Sequence, residues 1–243
     1  MILLTAVGLS IVGSLGGLIT ASSFLLLGDR IRLQLVPWLI SYAVGTLVGV
    51  ALLALVPEAL AQLPPRRAMM ALAAGILTFF LLEKAVLWRH CHDEESCRVH
   101  SSAASLVIIG DAFHTFVDGA LIAAAVLTTL SLGVTTALAV AAHEIPQEVG
   151  DVAILLRAGY SRGRAFTLNL LAALGGVLGA AAMVLASRLV PHTLPYVLAF
   201  AAGNFLYVAM ADLIPGLHRD GGASGGFRQI VLIGAGIGTI ALL

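Results

Sequence analysis

The chain has 243 residues, 60% of them hydrophobic and 11% charged, with a mean hydropathy of +1.03; a soluble domain carries roughly 25% charged residues. That composition excludes a soluble globular fold. A formal net charge of zero also argues against nucleic acid as a partner, because such surfaces need clustered positive charge. What remains is an all-α polytopic membrane protein, one transmembrane domain over residues 1–243 with the lipid bilayer as its solvent.

Eight apolar segments are predicted, at about residues 2–27, 36–61, 68–88, 104–129, 132–157, 164–187, 194–215 and 228–243. The first has no basic n-region, so it reads as a span rather than a cleaved signal peptide. The second ends in Val56-Pro57-Glu58, which places Glu58 on a pathway or at the water interface. The loop over 89–103 holds His90, Cys91, His92, Cys97 and His100. Its composition is that of short metal-capturing tracts, although the spacing matches no closed zinc site and two cysteines give no disulfide framework. The fourth segment carries Asp111, His114, Thr115 and Asp118, and the fifth carries His143, Glu144, Gln147, Glu148 and Asp151. The seventh holds Asp212 ahead of Pro215, and the eighth is short for a span.

Basic residues set the orientation. Arg30, Arg32, Lys84, Arg89, Arg98, Arg157, Arg162, Arg164, Arg219 and Arg228 fall on one side, and Arg66, Arg67 and Arg188 on the other. The positive-inside rule puts the ten in the cytoplasm and both termini outside, and the expected location is a bacterial plasma (inner) membrane. Sliding the second segment forward by 158 positions sets Ala43 on Ala201, Gly45 on Gly203, Val50 on Val208, Ala51 on Ala209, Leu55 on Leu213 and Pro57 on Pro215. The two segments run in opposite directions, the mark of an inverted repeat, here 3+2+3, which in transporters places the substrate near the midplane. An offset of 29 sets His114 on His143 and Asp118 on Gln147 in the central pair.

Residues four apart share a helix face. His114 and Asp118 therefore project together with Asp111 one turn earlier, and His143, Gln147 and Asp151 form a second face beside a stripe of Glu144 and Glu148. Pro146 cannot bond the carbonyl of Ala142, so a kink is expected there. An ionised residue at a helix centre costs about 2.5–3.5 kcal/mol on insertion scales. Five carboxylates, in segments that contain no Lys or Arg before Arg157, cost on the order of 10 kcal/mol. Protons, water or bound cations must supply the missing charge. A divalent metal held by imidazole, carboxylate and amide oxygen answers this, and such mixed donors suit Zn²⁺, Fe²⁺, Mn²⁺ or Co²⁺. Packing partnership is the bland alternative, strongest for Asp111 and Asp151.

Gly110-Asp111-Ala-Phe-His114-Thr115-Phe116-Val-Asp118-Gly119 and His143-Glu144-Ile-Pro146-Gln147-Glu148-Val-Gly150-Asp151 resemble the motifs of the ZIP (Zrt/Irt-like protein) metal transporters, in the branch with a His-containing loop between helices 3 and 4. Phe79 to Lys84 and Gly203 to Tyr207 resemble it too. The resemblance implies eight helices and import of divalent metal, zinc first and iron, manganese, cobalt or cadmium next. The metal is substrate, and no resident cofactor is expected. It implies one metal on His114, Asp118, His143 and Gln147, and an adjacent one on Asp118, Glu144, Gln147 and the Thr115 position. A homodimer is compatible with this reading. Thr115 and Gln147 depart from the branch's Asn and His, as do Val50, Ala54, Glu58 and Gly216 from common pathway ligands, so metal preference does not transfer. The chain is not expected to be an enzyme. The rivals are an intramembrane zinc metalloprotease, since His143-Glu144-x-x-Gln147 is one residue short of a zinc motif, and a proton-coupled carrier for an organic solute.

Overall fold

A computed structural model describes residues 2–24, 29–88, 99–219 and 223–243. The helices are α1 (Ile2–Phe24), α2 (Asp29–Gly49), α3 (Val56–Gln62), α4 (Pro65–Trp88), α5 (Val99–Thr128), α6 (Leu130–Arg157), α7 (Arg162–Leu189), α8 (Leu194–Tyr207), α9 (Ile214–Arg219) and α10 (Ala223–Leu242). No strand occurs among the described residues. The helices group into eight membrane-crossing rods, because two π-helical turns, Val50–Leu55 and Val208–Leu213, join α2 to α3 and α8 to α9 without a break.

Each π turn ends two residues before a proline, Pro57 or Pro215. Proline lacks the N–H that would bond four residues back, and a widened turn accommodates the loss. The two turns stand at the spacing of the 158-residue offset. Pro146, by contrast, lies within the unbroken helix α6, and the expected kink does not divide it. The last rod starts at Ala223, earlier than expected from hydropathy, because Phe227, Arg228 and Gln229 continue the helix into the interface.

Seven rods are long and apolar enough to cross a membrane by composition. The other is α6, which His143, Glu144, Gln147, Glu148 and Asp151 make too polar. Its span follows from packing instead. Only Thr129 separates α5 from α6, and it caps α6 by accepting a hydrogen bond from the Leu132 N–H at 3.1 Å. At the other end Gly159, at φ +88, closes α6 in a Schellman motif, with the Tyr160 N–H donating to the Leu155 carbonyl at 3.1 Å.

Contacts divide the rods into two sets. Helix α1 packs on α5, α6 and α7, and α5 on α7; α2 packs on α10, and α4 on α8. The sets meet where α6 lies against α2 and α5 against α8. Lipid offers no hydrophobic drive for helix association, so small residues that let backbones approach are decisive. Gly119 of α5 faces the carbonyl of Gly176 in α7, Gly175 and Gly179 of α7 face Ala112 and Phe116 of α5, and Gly203 of α8 faces Leu72 of α4.

A methyl group at Gly119 has no room against the Gly176 backbone. Gly119→Ala should lower stability in detergent by about 1–3 kcal/mol, read as a fall in melting temperature. Gly234→Ala, where nothing lies within 4 Å, should leave it unchanged or slightly raised.

Candidate metal centre

The one-residue hairpin at Thr129 fixes the depth of the site. His114 lies 15 residues before Thr129 and His143 lies 14 after it. At 1.5 Å rise per residue both sit roughly 21 Å from the turn, side by side. The glycine contacts between α5 and α7 hold one wall, and α1 holds the other. Gly17 of α1 lies against Glu144, where an added Cβ would stand 2.7 Å from that residue's own Cβ.

Four donors converge between the two helices. His114 Nε2 is 3.2 Å from His143 Nε2. Asp118 Oδ2 is 3.1 Å from His143 Nε2 and 3.5 Å from His114 Nε2. Glu144 Oε1 is 3.7 Å from His143 Nε2 and 3.9 Å from His114 Nε2. One ligand atom from each of the four residues lies within 4.8 Å of every other. A tetrahedral ion with metal–nitrogen bonds of about 2.0–2.1 Å spaces its donors about 3.3 Å apart, so these edges fit a small divalent cation. Two carboxylates and two neutral imidazoles also balance its charge.

The surroundings aim these groups at one another. His143 Nδ1 donates to the Ala139 carbonyl at 3.1 Å, which leaves the Nε2 lone pair facing the cluster. Asp118 and Glu144 are fully buried, and among the described residues neither carboxylate has a hydrogen-bond partner outside the cluster itself. Such groups cost several kcal/mol apiece when left charged and unpaired. Phe79 of α4 meets His114 edge-on at 5.6 Å, and Phe205 of α8 meets His143 at 6.1 Å. The second helix set thus supplies an aromatic wall across the two imidazoles.

The remaining predicted residues separate by depth. The Gln147 amide N–H donates to Asp111 Oδ1 at 3.5 Å, one helical turn from Glu144 and His143. The Thr115 hydroxyl donates to the Asp111 backbone carbonyl at 2.7 Å. Glu148 is buried with both oxygens unpartnered, Asp111 has one such oxygen, and Asp151 is half-buried. Glu58 accepts from the Gln62 amide at 2.8 Å. It lines a cavity of about 610 Å³ with Pro57, Thr129, Ser131 and Thr135, at the end of the bundle where the α5–α6 hairpin turns. Asp212 sits in the second π turn, and its side chain lies outside the described residues, as does that of His100. His90, Cys91, His92 and Cys97 also lie outside the described residues. Gly17 and the pairing of Phe79 and Phe205 with the histidines were not anticipated. Phe79 and Phe205 stand in sequence stretches that drew notice, but nothing local marks which ring meets which imidazole.

The ZIP Zinc transporter family profile matches residues 88–243. Zinc transporter ZIP13 of Pongo abelii is 35% identical over 235 residues, covering 89% of this chain and 70% of that protein. Zinc transporter ZIP13 of Homo sapiens is 32% identical, covering 89% and 74%. Zinc transporter ZIP10 of Danio rerio is 40% identical over 121 residues, 49% of this chain and 14% of that protein. These relatives are animal proteins; they agree with an integral membrane protein and lend nothing to a bacterial location.

Removing a converging donor should cost more metal affinity than removing a supporting group, whose loss costs 10–100-fold. By titration calorimetry with Zn²⁺, His143→Ala and Glu144→Ala should each weaken binding by about 100-fold or more, and Gln147→Ala by less. Gly17→Ala, which pushes on Glu144, should weaken it by about 10-fold. Gly16→Ala, with nothing within 4 Å of the new methyl, should have no effect.

Proposed function

This chain belongs to the ZIP family of zinc transporters, and we propose that it carries a divalent metal, zinc first, into the cytoplasm through the quartet of His114, Asp118, His143 and Glu144. The observation that carries this reading is the set of donor spacings, 3.1–3.9 Å among imidazole and carboxylate atoms buried between two antiparallel helices. Neutral imidazole binds borderline metals, and carboxylates add the charge that draws them out of water. Members of this family are transporters, not enzymes. The chemistry agrees: Glu144, the base that a protease would need, is itself one of the converging donors, and Gln147 stands where a second histidine would be.

Movement of the ion follows from the two helix sets. The quartet belongs to the set of α1, α5, α6 and α7, and its aromatic wall belongs to α4 and α8 of the other. Sliding one set past the other would open the site to either side in turn. Metal would come in from the cavity beside Glu58 and leave toward Gln147, Asp111 and Glu148, the last two of which have oxygens without a partner among the described residues and continue the polar line by one helical turn. Thr115 and Gln147 would hold a second ion only weakly in this arrangement, since the Thr115 hydroxyl and the Gln147 amide are both engaged with Asp111. An inverted repeat is supported by the matching π turns, and by the way that α2 with α10 and α8 with α4 repeat one packing pair.

In proteoliposomes the protein should admit Zn²⁺, and His143→Ala or Asp118→Ala should reduce flux to background while the purified protein stays folded. Flux retained in both variants would remove the quartet from the pathway. Running the same assay over a panel of divalent metals and imposed pH gradients reads metal preference and proton coupling directly.

A further inference from the structure

At the membrane end opposite the cavity beside Glu58, a separate crevice of about 360 Å³ opens between the first turns of α2 and of α10. Gln34, Trp38 and Ser41 line it from α2, and Arg228 and Gln229 from α10. The Arg228 guanidinium lies 5.0 Å above the Trp38 ring. Ser41 is committed to the Pro37 carbonyl at 2.7 Å, and the Gln229 amide to the Leu217 carbonyl at 3.0 Å. These bonds fix the walls. They leave the exposed Arg228, which among the described residues has no carboxylate partner and no acidic neighbour lining the crevice.

Both helices enter their membrane-crossing stretch at this level, at Gln34 and Gly225, and the exposed Trp38 is the residue type that settles at the lipid headgroups. A cation stacked on an aromatic face keeps its outer N–H donors available, and a guanidinium presents them in a fork that fits a phosphate. Basic pockets between helices at this depth recognise lipid headgroups by that chemistry. We propose that the crevice is a binding site for the phosphate headgroup of an anionic lipid, with Arg228 as its anion contact and Trp38 as the platform that holds Arg228 in place. The acyl chains would run down the exposed faces of α2 and α10. The bound lipid would then bridge α10 to the start of α2, a contact that helix packing completes only deeper in the membrane, at Gly45 and Gly236.

The test is native mass spectrometry of the purified full chain, exchanged into detergent with phosphatidylglycerol or phosphatidylcholine, together with melting curves in the presence of each lipid or of inorganic phosphate. Wild type should retain phosphatidylglycerol in preference to phosphatidylcholine and melt higher with it. Arg228→Gln should lose about fivefold in retention, the share expected of one basic residue at a membrane surface. Arg228→Lys should keep part of the preference, and Trp38→Leu should weaken retention while the charge remains. Arg188→Gln, at the far end of α7, should behave as wild type. Equal retention of the two lipids, equal retention by wild type and Arg228→Gln, or stabilisation by inorganic phosphate as large as that by phosphatidylglycerol would each overturn the lipid assignment. Zn²⁺ binding measured on the same samples shows that each variant is folded.

Discussion

Two carboxylates, Asp118 and Glu144, stand fully buried with no hydrogen-bond partner outside their own cluster among the described residues, in helices with no lysine or arginine at their level. In hydrocarbon that arrangement holds only if opposite charge arrives from outside the chain. The spacing of the donors suits the divalent cation proposed above. Two imidazole nitrogens 3.2 Å apart stand close to the donor spacing of a tetrahedral metal site. Much of the fold can be understood as keeping that cluster dry and aligned. The one-residue hairpin sets the histidines at equal depth, the Ala139 carbonyl turns His143, and Phe79 and Phe205 close the side that the other helix set presents.

Alignment at this depth requires backbone contact, because side chains of ordinary size would hold the helices apart. Glycines answer that need at the crossing of α5 with α7 and at the approach of α1 to Glu144. The π turns ahead of Pro57 and Pro215 serve a related end. They let a rod pass through a proline without breaking, while leaving its hydrogen-bond ladder locally loose. Both turns belong to the helix set that faces the quartet rather than to the set that carries it. One helix set thus carries the donors, and the set with the π turns packs against it.

Hydropathy, the clusters of α5 and α6, and the resemblance to a transporter family were all legible in the chain before any coordinates. Helical spacing alone puts His114 with Asp118 and His143 with Gln147, since those pairs depend only on the 3.6-residue turn. That Glu144 comes within 3.9 Å of both imidazoles could not be read that way. It depends on how α6 is turned about its axis, and Gly17 on α1, more than a hundred residues away, packs against Glu144 at this level. The start of α10 lies earlier than hydropathy suggests for a related reason, because Arg228 is accommodated by Trp38 on α2 and Gln229 by the Leu217 carbonyl of α9.

The sequence by itself therefore determined that the chain lies in a membrane, that two neighbouring helices carry five carboxylates between them, and that the donor chemistry suits a divalent metal. These follow from composition and from local periodicity. The tertiary structure decided which four residues converge, how the helices divide into two sets, and where Arg228 stacks on Trp38 beside a crevice. Those are contacts between residues distant in the chain, and close backbone approach, which no local pattern encodes, places them.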